Sequence, residues 1–268
     1  MLHSVVIAET GFKGKTAPIV GAYEDTFRLA KEIGFDAVQL TVNRPEEQPA
    51  EKICKLCGQY GIAVSSIATG MGYSVDGLFL ASPDTENRLA AVARMCGHVD
   101  LALRIGKPKV VIGAIRGFAS EGMTEEQYVE ALRDSCSRVL DYAVKKDVKV
   151  ITEAMDYTET NVMLGVEPVA AFIRSFKTPY FGLQLDTMHN VYAKEDTVAA
   201  IKKHGDILAQ VDLCGVARAV PADGGEVDYK AAIAALREVD YKDYLVYEFV
   251  GDPAGANAKA GLEYIRAL

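Results

Sequence analysis

The chain has 268 residues, half of them hydrophobic and a quarter charged, a composition typical of one globular domain spanning residues 1–268. Its net charge of −8 and its isoelectric point near 5.1 oppose nucleic-acid binding, which needs a clustered basic surface. No basic leader precedes an apolar run at the N-terminus, and no apolar run approaches the roughly 20 residues of a membrane span, so we expect a cytoplasmic protein.

The five cysteines are scattered through predicted helices and strands, as expected for reduced thiols in a cytosolic protein. Cys54 and Cys57 form a CxxC pair, but no second pair or histidine cluster lies beside them in the sequence. We therefore interpret them as two small residues on one face of a helix rather than as a zinc or redox site.

Strand-like and helix-like runs alternate along the whole chain. The predicted strands are Ser4–Ala8, Asp36–Val42, Ile62–Ile67, Lys109–Ile115, Lys149–Glu153, a run beginning at Phe181, Ile207–Leu213 and Tyr244–Phe249. The predicted helices are Ala22–Ile33, Glu47–Tyr60, Ser82 to about Ile105, Thr124–Lys146, Glu167–Ser175, Glu195–Lys203, Tyr229–Val239 and Asn257–Ala267. Parallel strands need crossover helices, and eight such βα units close a barrel. The sequence therefore predicts a single (β/α)8 TIM barrel in the α/β class.

Local signals mark the ends of several helices. Gly34 and Gly61 follow the first two helices directly, and Thr124 with Gln127 forms a capping box at the start of the fourth. The segment at residues 68–86 is rich in glycine, but the spacing of its glycines is not that of a phosphate-binding loop. We interpret it as a loop that covers a substrate.

Three predicted strands deliver a carboxylate at their C-terminal ends, where parallel α/β folds place their active sites. The runs KVITEA, FGLQLDTMH and YLVYEF supply Glu153, Asp186 and Glu248. The seventh strand adds Gln210 and Asp212, two residues apart and therefore on one face of the strand. In a barrel, all of these oxygen donors would meet at one rim.

Four oxygen donors with at least three negative charges need a positive partner if they share a small volume. A divalent cation would supply that charge, and an all-oxygen site suits Mn²⁺, Mg²⁺ or Co²⁺ better than zinc. The alternative is a set of separate carboxylates, each paired with an arginine at the rim.

The spacing of Glu153 and Glu159 in EAMDYTE, the LDTMH element, Arg218 after the seventh strand and the YLVYEF ending carry a family resemblance. Together they resemble the sugar phosphate isomerase/epimerase family of the xylose-isomerase-like TIM-barrel superfamily. This family includes ketose 3-epimerases, keto-sugar-acid epimerases and inosose isomerases. The resemblance spans almost the whole chain and is clearest from Ile151 to Phe249.

The resemblance implies four metal ligands, Glu, Asp, His and Glu, from strands five to eight. Glu153, Asp186 and Glu248 match three of these ligands, whereas Asp212 stands where relatives have a histidine in an HxH pattern. An aspartate at that position adds negative charge and shifts the preference further toward hard ions. We therefore expect a divalent metal, Mn²⁺ before Mg²⁺ or Co²⁺.

The reaction implied by the resemblance is 3-epimerisation of a ketose or keto-sugar acid through an enediolate, with Glu153 and Glu248 as acid and base. The substrate-binding residues implied in the same way are Glu159, His189 and Arg218. An inosose or aldose–ketose isomerase would use the same site and the same intermediate, so the sequence leaves these reactions open.

A catalytically silent sugar-binding or partner subunit, in which Asp212 has abolished activity, is a further alternative. An apurinic endonuclease would need a multi-zinc site rich in histidine and a basic face, which four histidines and an acidic composition disfavour. The sequence contains no evident phosphate grip, which favours an unphosphorylated sugar or sugar acid. The sequence leaves the number of subunits open, and a homo-oligomer is one of the alternatives.

Overall fold

The computed structural model describes residues 1–12, 14, 16–222, 224–252 and 254–268. Within these residues nine strands form one sheet: β1 (Leu2–Ala8), β2 (Ile19–Val20), β3 (Ala37–Thr41), β4 (Ala63–Ala68), β5 (Lys109–Ile112), β6 (Val150–Ala154), β7 (Phe181–Asp186), β8 (Leu208–Leu213) and β9 (Tyr244–Tyr247). The α-helices are α1 (Tyr23–Ile33), α2 (Ala50–Tyr60), α3 (Met71–Ser74), α4 (Thr85–Arg104), α5 (Glu125–Val144), α6 (Val166–Ser175), α7 (Thr187–Tyr192), α8 (Thr197–His204), α9 (Tyr229–Glu238) and α10 (Ala256–Arg266).

Eight of the strands close into a barrel. Neighbouring strands pair in the order β1, β3, β4, β5, β6, β7, β8 and β9, and β9 pairs back to β1. The short strand β2 lies outside this closed ring and pairs with the end of β1, Ile7 with Ile19 and Ala8 with Val20. Every strand pair in the described residues is parallel, so the C-terminal ends of the barrel strands lie at one rim. The predicted (β/α)8 barrel is confirmed.

The predicted helix signals are also present in the structure. Gly34 and Gly61 adopt φ angles of 112° and 58° after α1 and α2, a left-handed conformation that glycine accepts without steric cost. Thr124 and Gln127 form both hydrogen bonds of the capping box at the start of α5. Cys54 and Cys57 lie in α2, and all five cysteines have free thiols.

Several boundaries differ from the prediction. The second helix begins at Ala50 rather than Glu47, because Pro49 precedes its first turn and Pro45–Glu47 form a separate 3₁₀ turn. The fourth predicted strand ends at Ile112 rather than Ile115, since a 3₁₀ turn follows Gly113. Three further short elements, β2, α3 and α7, are not predicted from the sequence.

The inside of the barrel combines a small apolar cluster with polar side chains. Val111, Ile151 and Ala209 pack together as a cluster separate from the main core, which lies between the barrel and the helices. At the N-terminal end of the barrel, buried Lys109 donates hydrogen bonds from Nζ to Ala209 O (2.8 Å) and to Asp243 Oδ1 (2.5 Å). Across the described residues, no helix combines the length and the apolar character needed to cross a membrane.

His98 is a buried histidine in α4 that lies away from the rim. It is fully buried, and neither ring nitrogen has a hydrogen-bond partner among the described residues. Burial lowers the pKa of His98 to about 3, with a further contribution from the positive charge of Arg94. A histidine in the unfolded chain titrates near 6.5. The unfolded state therefore binds more protons, and stability falls as the pH drops from about 6.5 toward 3.

We predict that His98→Leu flattens this acid dependence. Removing one such group should lower the slope of the free energy of unfolding against pH by up to about 1.4 kcal/mol per pH unit around pH 5. Urea unfolding at a series of pH values measures that slope. Val99→Ala, a cavity-forming change at the neighbouring buried residue, should lower stability at every pH and leave the slope unchanged. An unaltered slope in His98→Leu would contradict the prediction.

Candidate metal centre and active site

Four carboxylates meet at the C-terminal rim of the barrel. Glu153 comes from β6, Asp186 ends β7, Asp212 comes from β8, and Glu248 directly follows β9. One oxygen from each carboxylate lies within 4.8 Å of the oxygens from the other three. Glu153, Asp186 and Asp212 are buried, and Glu248 is partly buried. The structure thus brings together the four side chains that the sequence analysis selected as metal ligands.

Strand register explains why these side chains converge. Glu153 pairs with Gln184 across β6 and β7, and Asp186 pairs with Asp212 across β7 and β8. Residues two apart on a strand share a face, so Gln184 lies on the same face of β7 as Asp186. The inner face at this level is therefore polar.

Two amide side chains hold the carboxylate of Asp212. Gln184 Nε2 donates to Asp212 Oδ2 at 2.9 Å, and Gln210 Nε2 donates to Asp212 Oδ1 at 2.8 Å. Gln210 Nε2 also donates to Gln39 Oε1 (2.8 Å), which accepts a further hydrogen bond from Ser66 Oγ (2.5 Å). Each oxygen of Asp212 keeps another lone pair after these bonds. Asp212 therefore lies within the carboxylate cluster, and Gln210 supports it.

Mutual repulsion changes the acidity of this cluster. Burial, followed by the charges of Glu248, Glu153 and Asp186, raises the pKa of Asp212 well above its ordinary value. Burial also raises the pKa of Glu248 to about 7, against the opposing charge of Arg218 and with the help of Glu153 and Asp186. These shifts are the expected result of placing like charges together away from water.

Arg218 is the main cation of the site. Its Nη1 donates to Asp186 Oδ2 at 2.5 Å and to Glu248 Oε2 at 3.1 Å. Its Nη2 lies 3.5 Å from Glu159 Oε1 and 3.3 Å from His189 Nε2. Although burial disfavours the charged form, Asp186 and Glu248 raise the pKa of Arg218 well above its ordinary value. Arg218 thus joins the carboxylate cluster to two further residues that the sequence analysis selected.

A strained turn directs Arg218 into the site. Ala217 and Arg218 have φ angles of 56° and 57°, a left-handed conformation that costs a residue with a side chain about 1–2 kcal/mol. Gly215 N donates to Ala219 O at 2.8 Å, and Ala217 N donates to Tyr192 Oη at 3.2 Å, so both ends of the turn are held. Strain of this kind persists only where the surroundings fix it, often at a functional site.

His189 lies in α7 and is almost fully buried. Its backbone N–H donates to Oδ1 of Asp186, the N-cap residue of α7, at 3.3 Å. Its ring is held by a different residue, since Nδ1 lies 2.6 Å from Asp156 Oδ2. Nε2 lies 3.5 Å from Glu153 Oε1. Burial opposes protonation, yet Asp186, Asp156 and Glu153 raise the pKa of His189 well above 6.5. Asp156, which follows Glu153 by three residues in EAMDYTE, is not predicted from the sequence as a site residue.

A cavity of about 560 Å³ opens beside these residues. Its polar lining includes Glu153, Glu159, Arg218 and Glu248. Its apolar lining includes Phe12, Met71 and Val75. Met71 and Val75 belong to the segment at residues 68–86, so that segment does line the cavity, while its role as a cover over the substrate stays a prediction. The size suits a small ligand.

The donor set fits a divalent cation. Within the described residues, six carboxyl groups lie around the guanidinium of Arg218 and the imidazole of His189. They belong to Glu153, Asp156, Glu159, Asp186, Asp212 and Glu248. Oxygens bound to one ion at about 2.0–2.6 Å lie at most about 5 Å apart, and the four carboxylate oxygens, which lie within 4.8 Å of one another, are close enough to bind the same ion. An all-oxygen donor set suits Mg²⁺ or Mn²⁺.

Comparison with known proteins gives consistent results along the chain. The family described as "Xylose isomerase-like TIM barrel" matches residues 27–268. The chain is 24% identical over 265 residues to L-ribulose-5-phosphate 3-epimerase UlaE of Escherichia coli (strain SE11), which covers 93% of this chain and 91% of that protein. A shorter match to L-ribulose 3-epimerase of Methylomonas sp. (strain DH-1) is 30% identical and covers 41% of this chain and 38% of that protein.

The fold is similar to that of a solved sugar epimerase. The crystal structure of D-psicose 3-epimerase with D-tagatose from Clostridium cellulolyticum H10 superimposes with a TM-score of 0.82. The match covers 100% of this chain and 99% of the other, at 17% sequence identity. At that identity the similarity shows the shared barrel fold.

Gly113, directly after β5, leaves the space that the Glu153 carboxylate occupies. A Cβ at this position would lie 2.8 Å from Glu153 Oε2, closer than side-chain carbons normally approach. We predict that Gly113→Ala displaces Glu153 and weakens Mn²⁺ binding by about tenfold or more, which corresponds to about 1.4 kcal/mol. Isothermal titration with Mn²⁺ measures this change.

The matched control is Gly58→Ala in α2, where the added Cβ meets nothing within 4 Å. This variant should bind Mn²⁺ as the wild type does. Equal Mn²⁺ affinity in the wild type and in Gly113→Ala would mean that the position of Glu153 does not matter for the metal.

Proposed function

The chain belongs to the xylose isomerase-like TIM-barrel family, and we propose that it is a metal-dependent sugar epimerase that inverts C3 of a ketose or keto-sugar acid. The observation that carries this proposal is that Glu153 of β6 and Glu248, which follows β9, line one cavity and each place a carboxylate oxygen within 4.8 Å of the other. The similarity to two proteins named as 3-epimerases supports C3 as the carbon that is inverted. We place this activity in the cytoplasm.

We assign the metal ligands as Glu153, Asp186, Asp212 and Glu248. Mn²⁺ is expected before Mg²⁺ or Co²⁺, because all four donors are oxygens. When bound, such an ion polarises the sugar carbonyl and stabilises the negative charge that develops beside it.

Glu153 and Glu248 act as the proton-transfer pair. Epimerisation removes a proton from one face of a carbon and returns a proton to the other face, so it needs two groups within reach of one atom. One glutamate accepts the C3 proton, and the electron pair left on the carbon moves into the enediolate. The other glutamate then donates a proton to the opposite face. The two residues exchange roles when the reaction runs in reverse.

Glu159, His189 and Arg218 bind the sugar oxygens. Arg218 only donates hydrogen bonds, whereas the carboxylate of Glu159 can accept them. Burial, followed by the charge of Glu153, raises the pKa of Glu159, which suits a residue that receives or shares a hydroxyl proton. Among the described residues that line the cavity, Arg218 is the one basic side chain, and it already binds Asp186 and Glu248. We propose an unphosphorylated sugar or sugar acid as the substrate.

A substrate screen in deuterated water tests the proposal. The purified chain with Mn²⁺ is incubated with ketoses, keto-sugar acids and inososes, and proton NMR follows each sugar. A 3-epimerase gives the C3 epimer with deuterium at C3, whereas an aldose–ketose isomerase moves the carbonyl to the neighbouring carbon. Absence of exchange with the whole panel would contradict catalysis and favour a sugar-binding or partner subunit.

We predict that Glu153→Gln and Glu248→Gln each lower kcat by about 10²–10⁴-fold or more, because each loses a proton-transfer group and a charge on the metal. His189→Ala, which loses an orienting contact, should lower kcat/KM by up to about a hundredfold. Glu121→Gln, at an exposed glutamate outside the cavity, serves as the control. Near-normal turnover by Glu248→Gln on the identified sugar would contradict the two-glutamate mechanism.

We also predict that Asp212→His changes metal preference. A histidine removes one negative charge and offers nitrogen, so affinity for Zn²⁺ or Co²⁺ should rise relative to Mg²⁺. Competition titrations of wild type and variant with Mn²⁺, Mg²⁺ and Zn²⁺ measure the order of affinities, and circular dichroism checks that the variant is folded. The same order in both proteins would mean that Asp212 is not a ligand.

A further inference from the structure

Asp156 is fully buried beside the carboxylate cluster, and it contacts two parts of the site at once. Its Oδ2 lies 2.6 Å from His189 Nδ1, and its Oδ1 accepts a hydrogen bond from Thr158 N at 2.6 Å. Its backbone oxygen accepts from Glu159 N at 3.2 Å and from Thr160 N at 3.1 Å. One residue therefore closes the turn that carries Glu159 and holds the ring of His189.

The contact of Nδ1 with Asp156 leaves Nε2 as the ring nitrogen of His189 that lies toward Glu153 and Arg218. An ionised carboxylate only accepts hydrogen bonds, so Nδ1 must carry a proton. Nε2 is then the nitrogen that lies near Glu153 Oε1 (3.5 Å) and Arg218 Nη2 (3.3 Å). Although burial opposes ionisation, the hydrogen bonds from His189 and Thr158 hold the pKa of Asp156 below its ordinary value.

We propose that Asp156 is a positioning residue that keeps a proton on Nδ1 of His189 and fixes its ring plane, while it builds the turn that carries Glu159. Two side chains that reach the substrate from different elements are then set by one carboxylate. The effect on turnover rests on the proposed function, in which His189 and Glu159 bind the sugar. The effect on the imidazole does not depend on the identity of the sugar.

Asp156→Asn separates the two roles. An asparagine has one oxygen that accepts and one NH₂ group that only donates. With its oxygen on Thr158 N, the asparagine keeps the turn and presents NH₂ to Nδ1 of His189. Nδ1 must then accept, so a neutral ring carries its proton on Nε2. Asp156→Leu, in contrast, removes both side-chain contacts.

Nitrogen NMR of the imidazoles tests the proposal directly. The chain has four histidines, so a long-range ¹H–¹⁵N spectrum at one fixed pH contains few signals, and His189→Gln identifies those of His189. In the wild type, Nδ1 of His189 should carry a proton that exchanges slowly with water. In Asp156→Asn that proton should be lost from Nδ1, and in Asp156→Leu its slow exchange should be lost.

Tyr157→Phe is the matched control, because Tyr157 is 63% exposed in the same turn. It should show the wild-type imidazole pattern. An Nδ1 without a proton in the wild type would overturn the proposal. So would the wild-type pattern in both Asp156→Asn and Asp156→Leu.

Kinetics on the identified sugar provide the second readout. Asp156→Asn should lower kcat/KM by about ten- to a hundredfold, while the melting temperature and the Mn²⁺ affinity stay close to those of the wild type. Unchanged kcat/KM in an Asp156→Asn protein whose His189 Nδ1 has lost its proton would overturn the positioning role. If no sugar is turned over by the wild type, the proposed function fails, and the NMR result still decides whether Asp156 sets the imidazole.

Discussion

The close approach of buried carboxylates at the barrel rim is the constraint on which the rest of the site depends. Such groups repel each other strongly away from water, and the high pKa values of Asp212 and Glu248 reflect that repulsion. Arg218 supplies part of the compensation through Asp186 and Glu248, and its strained backbone shows that the fold holds it there. A divalent ion would supply the rest, so under the proposed function metal binding and proton transfer would both use the same charge arrangement.

The barrel can hold the carboxylates close together because its rigid strands fix the position of each donor. Consecutive strands present their ends to one rim, and the space left at Gly113 admits the carboxylate of Glu153. Below the cluster, Gln39, Gln184 and Gln210 form hydrogen bonds that hold Asp212. These Nε2 donors link the position of Asp212 to the register of the strands, whereas Oε1 of Gln184 and Oε1 of Gln210 have no hydrogen-bond partner among the described residues. The two amide donors also suit an aspartate at this position, because a carboxylate has an oxygen to accept each hydrogen bond.

The sequence predicted the barrel because strand and helix periodicity alternates, and it predicted three carboxylates because each follows an apolar run. The two-residue spacing offered both Gln210 and Asp212, and Asp212 was selected because it stands where the family resemblance implies a histidine ligand. Asp156 was missed, since its role depends on a contact with His189, 33 residues away, that no local pattern reports. Gln39 and Gln210 are 171 residues apart, so their hydrogen bond was equally hidden. Tertiary contacts of this kind decide orientation, whereas local patterns decide only which side chains reach the rim.

The most direct test of the account is a crystal structure of the protein grown with Mn²⁺, examined by anomalous scattering. The account predicts one strong anomalous peak at the rim, about 2.0–2.6 Å from oxygens of Glu153, Asp186, Asp212 and Glu248. It also predicts that Arg218 remains bonded to at least one of these carboxylates. A map with no peak among the four residues at saturating Mn²⁺, or with a peak that Asp212 does not contact, would contradict the four-carboxylate site.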